Sequence, residues 1–544
     1  MADLKLGEPF GMEAKAFAAM DLDLAIKRIL NDVKTDFIYA PHLNLIYARA
    51  AESLKIALTE DIKSGQFAPG IPLSVEVPKS FRIPVESTKR LGPTYSRPGS
   101  ILLPKDRIFY QALADQSAEI IDKSLDKERS FSHQLAEANN AAMFLPTRKC
   151  WNDLQSALQK NAAKDNVQYV LKVDVANYFG SINLHTLINV LNDSGLNKSY
   201  SSRLEAVFTA FTGERSSRGI LQGIYPSDLF GNFYMAPIDR ILRDMEVLSA
   251  RYVDDLYVFV ESVDHADRVV RDLIPALRAY DLSLNESKCK IIPKNLLHTM
   301  EPDLEALFQA AVDEIAGQVD DEEFDADYGF QAEWEVDDEA DGDEENEEEA
   351  SPIELEATIS LFDAIDQYPG QEENVERFCL PLFSKAASDH AVDHVIDAFR
   401  RRPAMAQIYS SYLAKFLYDD ELREFVGELA GDKALADWQR MWVIAALMQA
   451  PNPTDGEVKL ALDIARDGTR HDALRAVAAY FVGRFGDHAR RTTLRATYPQ
   501  VSNYVQAAVY ASSRFWPGVE RSNAKATWAG HGQLHSLLTE AMKK

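Results

Sequence analysis

Three carboxylates stand where strands end. Asp174 closes a β-rich run, Val167–Val175, and the pair Asp254–Asp255 separates two apolar runs within Arg251–Val260. That second pattern predicts a hairpin with acidic residues at its turn. Carboxylates converging from adjacent strands suit hard cations, because Mg²⁺ takes oxygen ligands and keeps several of its waters. Two such cations about 3.5–4 Å apart carry phosphoryl transfer to a hydroxyl with little other help from side chains. An Asp-Asp pair on its own is common on protein surfaces, so its neighbours must decide. The three cysteines, Cys150, Cys289 and Cys379, lie far apart without Cys-x-x-Cys spacing, which argues against structural zinc or a disulfide framework.

The elements that position these residues show in the apolar spacing. Residues 1–70 read as helical, and 71–107 change to short β-prone runs between prolines. The latter stretch is basic, with seven Lys or Arg between Lys79 and Arg107 against Glu86 and Asp106. Helices are expected over 106–126, 133–162 and 227–248, the last kinked at Pro237. The net charge of −27 is misleading: 18 acidic residues and no Lys or Arg fall within 320–349, and setting them aside leaves −9. That segment reads as a solvated linker or insertion, with too little apolar surface to offset the entropy of ordering. Phe324, Tyr328, Phe330 and Trp334 within it offer an alternative role in docking a basic partner. Beyond Ile353 helical spacing dominates, broken at Pro451–Pro453, Pro499 and Pro517, with patterns recurring at ragged 30–40-residue intervals. No run of 18 apolar residues is present and no signal peptide is read; with the scattered cysteines, the expected location is a reducing cytoplasm.

Four segments carry a family resemblance. Asp174-Val-Ala-Asn-Tyr-Phe-Gly-Ser-Ile182 resembles motif A of reverse transcriptases, and Arg218-Gly-Ile-Leu-Gln-Gly-Ile-Tyr-Pro-Ser227, followed by Asn232 and Tyr234, resembles motif B. Tyr252-Val-Asp-Asp255 is similar to motif C and Leu282-Ser-Leu-Asn-Glu-Ser-Lys288 to motif D. The resemblance spans about residues 70–300. It implies two Mg²⁺ ions, with Mn²⁺ as an alternative, on Asp174, Val175, Asp254 and Asp255. It also implies Phe179 as a steric gate against ribose (otherwise a plain core aromatic), and a nucleotide pocket at Gln222–Gly223. Lys288 would approach the pyrophosphate as a catalytic residue, or else be a plain exposed lysine. Arg97, Lys105 and Arg107 are the candidates for the triphosphate grip, since phosphate is held by Lys and Arg. Leu221 replaces the proline usual before Gln-Gly, which puts ordinary template handling in doubt.

The expected fold is α+β: a right-hand polymerase fingers-palm fold followed by an all-α HEAT-like helical repeat domain. Its divisions are 1–165 (N-terminal helices and fingers), 166–300 (palm), 301–352 (thumb-like or acidic linker) and 353–544 (helical repeats). That order resembles defence-associated, abortive-infection reverse transcriptases. The resemblance implies dNTP substrates, RNA or DNA partners including a dedicated noncoding RNA, homo-oligomers, and synthesis with or without a template. Competing readings are a retron-like or intron-like enzyme copying a bound RNA, and a catalytically silent scaffold. The spacing of Arg466 and His471 superficially resembles HEPN ribonucleases. The basic tracts Arg400–Arg402 and Arg484–Arg495 read either as nucleic-acid contacts or as solvated helix faces.

Overall fold

The computed structural model describes residues 14–87, 92–213, 215–297, 304, 307–308 and 352–543. The acidic segment 320–349, and nearly all of the expected linker 301–352, lie outside them.

After a short α1 (Ala14–Ala18), helices α2 (Leu22–Asp32), α3 (Pro41–Arg49) and α4 (Ala51–Ser64) pack on the long α5 (Pro104–Ser124). Between α4 and α5 an antiparallel hairpin forms from β1 (Leu73–Arg82) and β2 (Thr94–Ile101), the fingers ribbon. The helix expected over 133–162 begins only at α6, Thr147–Ala162. Residues 125–146 instead form loops tied by a Leu135–Phe144 bridge, because polar Asn139–Asn140 and then Pro146 interrupt the apolar pattern.

The palm is a four-stranded antiparallel sheet in the order β4 (Leu248–Tyr252), β5 (Asp255–Val260), β3 (Tyr169–Val173), β6 (Lys290–Pro293). Its two central strands, β5 and β3, are apolar nearly throughout because both faces are covered. One face joins the main core. Against the other lies a smaller cluster of Phe131, Leu154, Leu158, Val170, Tyr257 and Phe259. Short α7 (Tyr178–Ser181), α8 (Leu184–Asp193) and α9 (Lys198–Phe211) follow β3. The expected helix over 227–248 is two: α10 (Tyr225–Tyr234) ends before Met235, and α11 (Ala236–Asp244) carries Pro237 in its first turn, where its missing N–H costs nothing. α12 (Val263–Ala279) returns across the sheet to β6.

The C-terminal region is helical throughout its described residues: α13 (Pro352–Asp363), α14 (Glu372–Lys385), α15 (Val392–Ala398), α16 (Ala406–Ala414), α17 (Asp420–Gly431), α18 (Asp437–Leu447), α19 (Asp455–Arg466), α20 (Asp472–Phe485), α21 (His488–Thr497), α22 (Asn503–Ser512), α23 (Gly518–Trp528) and α24 (Gln533–Ala541). Capping side chains start several of them, such as Asp419, Thr454, His471, Asp487 and Ser502, each accepting a backbone N–H in the first turn. Helices α16, α18, α20 and α22 pack each on the next, and α22 and α24 pack on α3. This region is therefore no trailing appendage. Trp438 donates to the Phe37 carbonyl at 2.6 Å, His471 bonds the Ser74 carbonyl at 2.7 Å, and Arg82 of β1 donates to the carbonyls of Arg400 and Arg401.

Candidate active site

Register brings the carboxylates together. In the β3–β5 ladder Val173 pairs with Leu256, so Asp174, one residue past that pair, faces Asp255 across the same end of the sheet. Asp254 occupies the β4–β5 turn, closed by the Tyr252–Asp255 pair. Burial, then the charges of Asp255 and Asp174, push the Asp254 carboxyl up to about 7, the expected response when like charges share a desolvated place. Beyond β3 the chain continues into a second pairing: Val175 bridges Leu284, and Asn285 N–H donates to the Asp174 carbonyl at 2.8 Å.

That pairing brings the loop carrying Lys288 against Asp174. The Asn285 amide donates to Asp174 Oδ2 at 2.8 Å, and Lys288 Nζ to Oδ1 at 3.0 Å. Burial works against the Lys288 charge, but the bond to Asp174 and the charges of Asp174, Asp255 and Asp254 outweigh it and hold its pKa above the usual value. Asn285 was quoted within its motif without a role; its amide sets the rotation of the Asp174 carboxylate.

The hairpin turn rests on a buried polar network. Val253 lies at φ 53°, a region a β-branched residue occupies only under strain. Its N–H donates to Ser132 Oγ at 2.9 Å and its carbonyl accepts from Arg251 Nη1 at 3.0 Å. Arg251 is fully buried. It grips Asp239 of α11 at 2.8–2.9 Å and Asn232 of α10 at 2.6 and 3.0 Å, while Ser130 and Ser132 donate to the same Asn232 amide oxygen. The break at Met235–Pro237 puts Asp239 on a new helix. Sequence reasoning noted Asn232 and Pro237 but missed Arg251 and Asp239; a charged pair among apolar neighbours was the available signal.

Around this centre the nucleotide candidates divide. Phe179 is partly buried, edge-on to Tyr178 at 5.5 Å, with its ring over Gly231, where an added Cβ would lie 2.8 Å from it. Gln222 and Gly223 form the turn into α10. Gly223 has φ 76°, and a Cβ there would lie 2.5 Å from the Phe37 ring; both the backbone and the space demand glycine. The close approach at Gly223 is thus to Phe37. Two of the three grip candidates are corrected. Arg107 is 2% exposed and bonds Asp32 and Asp36 at 2.5–2.8 Å, a buried ion triad beneath α2. Lys105 is buried and bonds Asp61 of α4 at 2.5 Å. Both sit in the first turn of α5, which faces the N-terminal helices. Arg97 alone remains near the site, its guanidinium 4.6 Å over the Phe37 ring. Lys79 of β1 was overlooked among the seven basic residues. Its ammonium is pushed down by partial burial, then by Arg97 and Lys288, and is held by Asp174 and Asp254.

The other sequence candidates are tied into structure. His471 caps α20 and bonds the Ser74 carbonyl, and Arg466 ends α19. Arg402 pairs with buried Glu376, and Arg400 with Asp432 at 3.1 Å. Arg490 and Arg491 pair with Asp455 and Glu520. Within these tracts Arg400, Arg402, Arg490 and Arg491 form intramolecular bridges.

With the geometry described, the relatives can be placed. Residues 96–300 match the reverse transcriptase (RNA-dependent DNA polymerase) family. The chain carries a reverse transcriptase domain. The protein is accordingly an enzyme, a DNA nucleotidyltransferase. No curated protein matches it. Among solved structures it is similar to telomerase from Candida albicans with a TWJ fragment of telomeric RNA (12% identity, TM-score 0.27, 66% of each chain covered) and to apo telomerase from Candida tropicalis (9%, TM-score 0.28, 90% of this chain and 73% of that one). At TM-scores this low the likeness assigns neither an activity nor a partner. The reverse transcriptase domain holds all three carboxylates, Phe179, Gln222–Gly223 and Lys288, but begins after Lys79. Three hard-oxygen carboxylates that repel one another form a donor set fitted to divalent cations. Among the described residues no three His, Cys, Asp or Glu side chains stand close enough to hold one ion between them. No helix of the described residues is long and apolar enough to cross a membrane.

Proposed function

We propose that the reverse transcriptase domain extends DNA from a 3′-hydroxyl by two-cation nucleotidyl transfer on Asp174, Asp254 and Asp255. The observation that carries this reading is the meeting of Asp174 with the Asp254–Asp255 turn, where burial and then the neighbouring carboxylates push Asp254 up to about 7. When bound, the cations acidify the hydroxyl and neutralise the departing pyrophosphate. The protein's own residues do the rest. Asn285 fixes the Asp174 carboxylate, and the Arg251 network holds the strained turn in place. The Phe179 ring excludes a ribose 2′-hydroxyl. Lys288 balances Asp174 and carries at Nζ a proton for the leaving pyrophosphate.

At the level of biology we read the protein as a defence-associated reverse transcriptase, with its C-terminal helices stacked in the manner of HEAT-like repeats. Support comes from the motif resemblance and from helices docked on the fingers. A retron-like enzyme copying one RNA is the second reading, favoured by the family's RNA-dependent activity. The test is direct: purified protein, Mg²⁺ and labelled dNTPs, with and without added RNA. Incorporation is expected in the wild type and absent in Asp254→Asn/Asp255→Asn at an unchanged melting temperature; persistent synthesis in that variant refutes the site. Synthesis without added or co-purifying template favours the defence reading, and a strict need for one RNA favours the other.

A further inference from the structure

A cavity of about 350 Å³ lies between the fingers ribbon and the C-terminal helices, lined by Phe37, Val77 and Arg97 on one side and Arg377, Gln407 and Trp438 on the other. Arg97 enters from β2, where it faces Val77 across the ribbon. Its guanidinium lies on the Phe37 ring, its Nε is buried without an acceptor, and no described residue gives it a hydrogen bond or ion pair. Arg377 comes from α14 and also faces this space. Glu373 and Glu376 act on its charge, and Glu376 also serves Arg402, His394 and Tyr409. Burial holds Asp228, the acid that acts on Arg97, well above the usual carboxylate range. The cavity is therefore lined by two guanidinium groups, and Arg97 brings to it an unmet donor.

Its position adds a second argument. The Phe37 ring that floors Arg97 on one side abuts Gly223 of the nucleotide turn on the other. From the catalytic carboxylates outward, Lys288, Lys79, Arg97 and Arg377 form a succession in which each acts on the next. Isolated cations in such a row repel; a chain of phosphates is the ligand that makes the row favourable.

We propose that the Arg97–Arg377 cavity is a phosphate-binding pocket of the full-length protein, one wall of which the C-terminal helical domain supplies. The inference builds on the catalytic reading above and extends it: the helical domain takes part in holding polyphosphate. Two sources share this chemistry, the terminal phosphates of the incoming nucleotide and a separate phosphoanion.

The experiment uses intact protein without divalent cations and inorganic tripolyphosphate as the calorimetric probe. Wild type should bind it; Arg97→Gln and Arg377→Gln should each weaken binding about ten-fold or more, the loss typical of a charged hydrogen-bonding partner. Arg377→Lys should retain most of it, which guards against a merely unfolded variant. Equal binding by wild type and both Gln variants overturns the pocket. If the dNTP KM of Arg377→Gln rises in step with the tripolyphosphate Kd at constant kcat, the pocket holds the substrate's own phosphates. A shifted Kd with an unshifted KM makes it a site for a separate phosphoanion. Should Asp254→Asn/Asp255→Asn still polymerise while the Arg377 variant loses tripolyphosphate, the catalytic assignment falls and the pocket stands.

Discussion

On the proposed reading, sugar discrimination comes down to how rigidly the Phe179 ring is held. The ring has little room on the α10 side, since a Cβ at Gly231 would lie 2.8 Å from it, and Tyr178, anchored to the Gly231 carbonyl at 2.6 Å, flanks it. A ring fixed this way discriminates by clash, so Phe179→Ala should raise ribonucleotide use relative to deoxyribonucleotide use by roughly 10–200-fold, the range a single apolar group confers. Competing rNTP and dNTP incorporation measures it, and an unchanged ratio makes Phe179 an ordinary core aromatic. The same residue scale shows what sequence could and could not reveal. That Asp174, Asp254, Asp255 and Lys288 would lie together was legible because each sits in a short motif of fixed order. Arg107 was misread because its partners, Asp32 and Asp36, lie more than seventy residues earlier. A basic residue near a motif looks like a phosphate ligand until the chain folds a carboxylate onto it.

Among the elements, the β4–β5 hairpin depends most on its surroundings. A two-residue turn with positive φ at its first position favours glycine, yet Val253 stands there, so the conformation must be imposed from outside by Ser132 and Arg251. Arg251 can impose it only while Asp239 neutralises and aims its guanidinium. Breaking a buried ion pair on one side costs about 3–5 kcal/mol. Asp239→Asn should therefore lower stability on that order and, by letting the turn relax, reduce kcat roughly 10–100-fold with little change in dNTP KM. Denaturant melts together with steady-state kinetics test both parts; wild-type kcat in a destabilised variant would leave the network a purely structural role. Strands β3 and β5 and the break at Pro237 were legible from periodicity and proline, whereas the edge strand β6 was not read. The network was not, since it joins a loop, two helices and a strand whose meeting depends on tertiary packing. The expected helix over 133–162 began too early, because Asn139–Asn140 and Pro146 keep 133–146 in the loop that continues from Ser130 and Ser132.

Across the whole molecule, the N-terminal helices serve as a shared floor, since α3 packs on α5 beneath the fingers and on α22 and α24 of the C-terminal domain. At that junction His42 is 1% exposed, with both ring nitrogens lacking partners, edge-on to Tyr504 at 4.7 Å. Burial, then the neighbouring His535, lowers its pKa to about 3; burial and then His531 lower that of His535 to about 4. Both are therefore neutral in the folded protein well below the pH at which they protonate in an unfolded chain. A depressed histidine leaves stability intact above about pH 6.5 and erodes it as pH falls toward the folded value, because the unfolded state then binds more protons. For His42 alone the loss is on the order of 2 kcal/mol by pH 5. His42→Phe keeps an aromatic ring against Tyr504 and removes the titration. Whatever offset that substitution has at pH 7.5, its stability relative to wild type should improve by roughly that amount at pH 5. Paired denaturant melts at the two pH values provide the check; an offset that does not move with pH would mean that His42 is free to charge, and that the joint between the two halves opens without unfolding.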